Sequence, residues 1–166
     1  MSELQQNLQK ALQLLARGSA EDNELAIGLL RDRVKLDDNA IQWELHALRV
    51  FAVETGIYLG CGSDPSKYDD MLAALYSPMI REARDSEDEQ ASLDFNVLKS
   101  RVELYRGRAE SVSEDTNIKP KQLVRHIGSQ FATLCETKDS KVAAVGSGVF
   151  VETSTLAKRV SETTWH

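Results

Sequence analysis

The chain has 166 residues, 42% of them hydrophobic and 28% charged, with a formal charge of −6 at neutral pH. That length suits one domain and buries roughly two-thirds of its unfolded surface, enough for a core without disulfides or a structural metal. The composition excludes a disordered chain. The acidic balance argues against duplex binding and against docking on anionic lipid, since both rely on Lys and Arg.

The first helix is expected from Ser2 to Arg17. Ser2 and Gln5 have capping-box spacing, and Leu4, Leu8, Ala11, Leu12 and Leu15 form one stripe. Gly18 ends it, as a residue just past a helix C-terminus does. Ser19 then caps a second helix, with Glu21, Asp22 and Glu24 in the first turn where the dipole favours acids and Ile27, Leu30 and Val34 on its apolar face. Asp37 and Asp38 form a turn and cap a third helix, spanning 39–60. This one is apolar on two faces: Ile41, Leu45, Leu48, Ala52 and Leu59 on one, Val50, Val53 and Ile57 on another, with Trp43 and Ala47 beside the second. A helix apolar nearly all round is buried, so it is the expected centre of a multi-helix core.

The run Gly60-Cys61-Gly62-Ser63-Asp64-Pro65 reads as a loop followed by an N-cap and N1 pair. The helix after it turns Tyr68, Met71, Leu72 and Leu75 inward, and Pro78 is expected to kink or end it near Tyr76 and Ser77. Acids dominate 81–94 and bases the following fifteen residues. Most of this reads as one long helix capped by Ser86, with an inner seam of Phe95, Leu98, Val102, Tyr105, Ala109 and Val112. Ser113 to Lys119 is a polar linker, and Lys119-Pro120 opens a helix that turns Leu123, Ile127, Phe131 and Leu134 inward. In the segment 139–162, Val142, Val145, Val149, Thr153, Leu156 and Val160 fit a helical period. Gly146-Ser147-Gly148 also suits a hairpin loop, which is the lesser alternative because no other strand is in sight to support it.

These readings define an all-α fold: a single domain, 1–166, of about six helices bundled around the central one, with 139–166 as a possible oligomerisation or partner-binding tail. Two cysteines, far apart and in no CxxC pair, point to a reducing compartment. The N-terminus has no basic stretch leading into an apolar one, and no apolar run is long enough to cross a bilayer. A cytoplasmic location and no membrane partner are therefore expected.

No catalytic residue, metal site or cofactor is expected from the motifs present. Glu44 and His46 are two apart and diverge on a helix, so they make no Glu-x-x-His ligand pair. Gly60-Cys61-Gly62 lacks the third glycine and the preceding strand of a dinucleotide site. Ser147 lies between glycines without the nucleophile-elbow pattern, and the acids around Glu82 lack the spacing of a calcium loop. Cys61, in a glycine loop before a helix start, stands where a reactive thiol can occur but shows no companion base; Cys135 belongs to the core.

The expected function is accordingly non-enzymatic: a helical protein acting through association with a protein partner or with itself, as adaptor, regulator, immunity-type protein or scaffold, with a homodimer plausible and nucleic acid not expected. The acidic cluster Glu82, Glu87, Asp88 and Glu89 and the basic cluster Arg101, Arg106 and Arg108 are its candidate contact residues. The alternative is a small-ligand-binding or enzymatic bundle, its pocket near the 60–68 loop and lined by Trp43, His46, Tyr58, Cys61 and Tyr68.

Overall fold

A computed structural model describes residues 2–115 and 117–163. Among these residues the chain forms seven α-helices and no strand: α1 (Glu3–Arg17), α2 (Ala20–Leu30), α3 (Asp38–Cys61), α4 (Pro65–Asp85), α5 (Glu89–Ser113), α6 (Pro120–Leu134) and α7 (Ser140–Thr163). The last three residues of the expected tail, 164–166, lie outside the described residues.

The caps follow local chemistry. Ser2 Oγ accepts from the Gln5 amide at 3.2 Å while the Gln5 side chain accepts from the Ser2 amide at 2.8 Å, a complete capping box. Ser19, Asp37 and Asp64 each accept from the backbone three residues on, at 3.0, 2.8 and 3.1 Å. Each satisfies a donor that the first helical turn leaves open.

α3 runs through the middle. Ile41, Leu45, Leu48, Val50, Val53 and Ile57 are fully buried, and all six other helices touch it. Its main partner is α7, because both helices are small where they cross. A Cβ added at Gly56 would meet the Ser154 carbonyl oxygen and lie 2.5 Å from Ala157 Cβ; one at Gly60 would lie 2.5 Å from Ser161 Cβ. The same device joins α7 to α6, where a Cβ at Gly146 would lie 2.7 Å from Phe131. Close approach of backbones lets these helices share a densely packed core. The aromatic rings of Phe51, Tyr105 and Phe150 stack across α3, α5 and α7, with centroids 5.6 and 5.7 Å apart.

Three expectations are corrected. α4 does not end near Tyr76 but continues through Pro78 to Asp85. Proline removes one helical hydrogen bond, yet Leu75 and Met79 on either side are buried, and Gln13 of α1 donates to the Leu75 carbonyl at 2.5 Å. Tertiary packing outweighs the local break. The cap of α5 is Asp88, which accepts from the Gln90 amide at 2.9 Å; Ser86 Oγ accepts from Asp88 in the turn before it. On α7 the deeply buried positions are Val142, Gly146, Phe150, Thr153, Ala157 and Ser161. Only Val142 and Thr153 of the expected stripe are among them, because the close crossings select small side chains and leave Val145, Val149 and Leu156 on the flank.

Candidate functional site

Two successive turns of α3 carry Trp43, His46 and Arg49 toward the corner where α1 gives way to α2. The end of any helix leaves carbonyls without partners. At the end of α1, His46 Nδ1 lies 2.8 Å from the Ala16 carbonyl oxygen. A carbonyl can only accept, so the imidazole proton is on Nδ1 and Nε2 keeps a lone pair. Burial holds the pKa of His46 below its usual range; the bond to Ala16 works against this, while Arg17 and Arg49 add to it. The ring is therefore neutral at physiological pH. Trp43 lies edge-on to it, centroids 5.9 Å apart.

Arg49 lies deeper, only 5% exposed. Its Nη1 donates to Asn23 Oδ1, and Asn23 Nδ2 donates to the Arg17 carbonyl at 3.0 Å. Gly18, at φ +72°, passes directly over the guanidinium: an added Cβ would lie 2.5 Å from Arg49 Cζ. Glycine is required there both for the left-handed backbone and for the space. This clamp fixes α2 against α1 and α3.

Outside the clamp, α1, α2 and α7 leave an open groove of about 480 Å³. Its walls carry Leu14, Leu25, Leu29, Val145, Val149 and Leu156; Asp22 and Glu152 line it as well, with Arg49. Leu14 is 71% and Leu25 65% exposed, so the apolar surface is open to solvent. A shallower hollow continues along α2 past Leu25 and Leu29 to Glu21 and Glu24.

The five residues expected to line one pocket fall into two groups. Trp43 and His46 stand together at the α1–α2 corner. Tyr58 and Tyr68 meet edge to face, centroids 6.0 Å apart, at the other end of α3 near Cys61. Fifteen residues of helix, about 22 Å, separate His46 from Cys61. Cys61 ends α3 as a buried residue and is not a loop thiol; burial pushes its pKa up. The Cys135 thiol is pushed up to about 12, by burial first and then by Glu44. Neither thiol is a thiolate at neutral pH, and neither is paired with the His46 base.

The basic cluster faces inward more than expected. Arg101 Nε pairs with Glu44 at 3.0 Å, and one nitrogen of Arg106 reaches both oxygens of Glu54 at 2.8 and 2.9 Å. Glu44 and Glu54 are buried, and Tyr76 also donates to Glu54. Burial raises the Tyr76 pKa, and the Glu54 charge raises it further. Arg108 donates to His126 Nδ1 at 3.1 Å. In the acidic cluster, Glu82 pairs with Arg17 at 3.4 Å and Asp88 caps α5, while Glu87 and Glu89 are exposed in the α4–α5 connection and at the start of α5. Among the described residues no three His, Cys, Asp or Glu side chains converge as metal ligands, and no helix is long and apolar enough to cross a membrane.

Sequence reasoning missed Arg49, Asn23 and the groove residues Leu14, Leu25 and Leu29. Arg49 was visible as a lone cation within the most apolar helix, and Leu25 and Leu29 as a four-residue pair off the stripe of α2. The chain matches no family model, no curated protein and no solved structure. The fold itself defines the class: an all-α, single-domain helical bundle.

Proposed function

We propose that this is a non-enzymatic, cytoplasmic protein that works by holding a partner protein in the groove between α1, α2 and α7, in the manner of an adaptor, regulator, immunity-type protein or scaffold. The observation that carries this reading is the open row of Leu14, Leu25, Leu29 and Leu156 along one groove. Contiguous apolar surface left to solvent marks an interaction site. An amphipathic helix laid into the groove by its apolar face is the partner that such a row of leucines fits. Asp22 and Glu152 within it and Glu21 and Glu24 beside it favour basic flanks on that helix. The same acids disfavour a second copy of this acidic chain. The two free, buried thiols suit a reducing compartment.

The test is photo-crosslinking in cells with benzoyl-phenylalanine at position 25, then titration of the captured segment as a synthetic peptide. One captured segment with an apolar stripe and basic flanks, its affinity reduced about tenfold by Leu29→Asp, is the expected result. No crosslink, or a peptide that binds the Leu29→Asp variant as tightly, would refute the reading. Capture of this chain by itself would assign the groove to self-association.

A further inference from the structure

α5 carries a second apolar stripe that its own fold leaves uncovered. The helix packs on α3, α4 and α6, and Leu98, Val102 and Tyr105 are its buried residues. Away from them, Leu93, Val97 and Leu104 are 57%, 52% and 46% exposed. With Ser100 and Gly107, also exposed, they recur at alternating steps of four and three, the spacing of a seam between two helices. Glycine is a poor helix former, yet a Cβ added at Gly107 would meet nothing within 4 Å, so no neighbour in the fold requires it. Single apolar side chains on a surface are ordinary; a row of them along one helix marks a contact.

The charge along the helix decides what covers this stripe. The whole chain is acidic, but the region of α5 is divided. Residues 87–94 hold Glu87, Asp88, Glu89 and Asp94 and no base; the rest of the helix holds Lys99, Arg101, Arg106 and Arg108 against Glu103 and Glu110. A helix acidic at one end and basic at the other complements itself turned end for end, as a two-fold contact demands. We propose that α5 pairs antiparallel with α5 of a second copy of this chain and forms the seam of a homodimer. In the register that sets Leu93 on Leu104 of the other copy, Val97 meets Ser100, and each copy gives three apolar side chains to the seam. Gln90 then lies over the open Gly107. On one flank Asp94 faces Arg101 of the other copy. Gln90 donates to one Asp94 oxygen, at 2.8 Å, and Arg101 reaches Glu44 through Nε, so each keeps atoms for this pair. The other flank sets Asn96 beside Glu103, and Glu89 near Glu110 at the exposed ends, where salt screens them. A parallel pair would instead bring the two acidic ends together. The groove lies among α1, α2 and α7, so it stays open in this dimer.

The test is sedimentation equilibrium of the full chain from about 1 to 200 μM in about 0.1 M salt. A seam of one helix is at the small end of specific interfaces, so a monomer–dimer equilibrium with a Kd of about 10 μM is expected. Val97→Glu is expected to raise that Kd about tenfold or more and Asp94→Lys about fivefold, with the melting transition checked for both. Leu25→Asp, in the separate groove, is expected to leave the equilibrium unchanged, so failure here is distinct from failure of the partner-binding reading. For the orientation, Leu93→Cys protein is mixed with Leu104→Cys protein under mild oxidation; the native thiols are buried. The mixed disulfide is expected, and neither variant is expected to cross-link alone, since its two new thiols stand about 16 Å apart along an antiparallel pair. A monomer at about 200 μM would overturn the proposal. So would an unchanged dimer in the folded Val97→Glu or Asp94→Lys protein, or loss of the dimer in Leu25→Asp. Self-cross-linking of either cysteine variant in place of the mixed product would overturn it as well.

Discussion

Replacing Gly56 with alanine should destabilise the bundle, although alanine is the better helix former. In the isolated helix the change gains about 1 kcal/mol. In the folded protein the new methyl would lie 2.5 Å from Ala157 Cβ and 2.8 Å from the Lys158 backbone nitrogen. Favourable carbon contacts need about 3.5–4.0 Å, so α7 must retreat by about an ångström along the crossing that holds the core together. The obstacle includes backbone, which cannot swing aside, so the upper part of the usual overpacking range applies, about 3 kcal/mol. The net cost is about 2 kcal/mol. Gly148, on the same α7 but with nothing within 4 Å of an added Cβ, supplies the control: alanine there should stabilise by up to about 1 kcal/mol. In urea, with a slope of about 2 kcal/mol/M, the midpoint should fall by about 1 M for Gly56→Ala and rise by up to about 0.5 M for Gly148→Ala. A Gly56→Ala protein as stable as the parent, with an unchanged slope, would refute the tight α3–α7 crossing.

Three further outcomes are expected. His46 is held neutral in the fold, so its folded pKa is below its unfolded one; its contribution to stability is complete above the unfolded value of about 6.5 and is lost as pH falls below it. His46→Asn, whose Nδ2 can replace the donor to Ala16, should flatten the fall in urea midpoint on acidification, and an unchanged slope would count against a neutral buried imidazole. Glu54→Gln should cost about 2 kcal/mol by leaving Arg106 without its carboxylate, and Tyr76→Phe about 1.5 kcal/mol, with the double variant losing less than the sum because the groups share one network; strict additivity in thermal or urea melts would argue against the shared network. Both thiols are buried, so a disulfide reagent should label them only as the protein unfolds, and rapid labelling of the native protein would contradict their burial.

Helix positions were legible wherever cap and stripe agreed. Ser2 with Gln5, Ser19, Asp37 and Asp64 each announced a helix by chemistry confined to one turn, and the structure uses all four caps. Pro78 misled because its local cost is outweighed by contacts of Leu75 and Met79 with distant parts of the chain. The buried face of α7 misled for a related reason. Valine and leucine mark an inward face only when the neighbour stands at ordinary distance; against Gly56 and Gly60 the inward residues are Ala157 and Ser161, which periodicity weighs lightly. Trp43 and His46 were named from their residue types, but their separation from Tyr58 and Tyr68 depends on helix length, and the tautomer of His46 depends on which of its nitrogens meets Ala16. The role of Arg49 carries no signal in the sequence, because its partner Asn23 and the Gly18 backbone over it are brought there only by the fold of the α1–α2 corner.

The pairing of α3 with α7 also has a consequence in time. At a synthesis rate of about 5–20 residues per second, the central helix emerges several seconds before the helix that covers it, since some eighty residues lie between Cys61 and Ser140. Throughout that interval a strongly apolar segment around Val50, Val53 and Ile57 waits without its main cover. The nascent chain is therefore a client for whatever shields hydrophobic segments at the ribosome exit, and a premature stop anywhere before α7 releases an adhesive fragment in place of a smaller working protein.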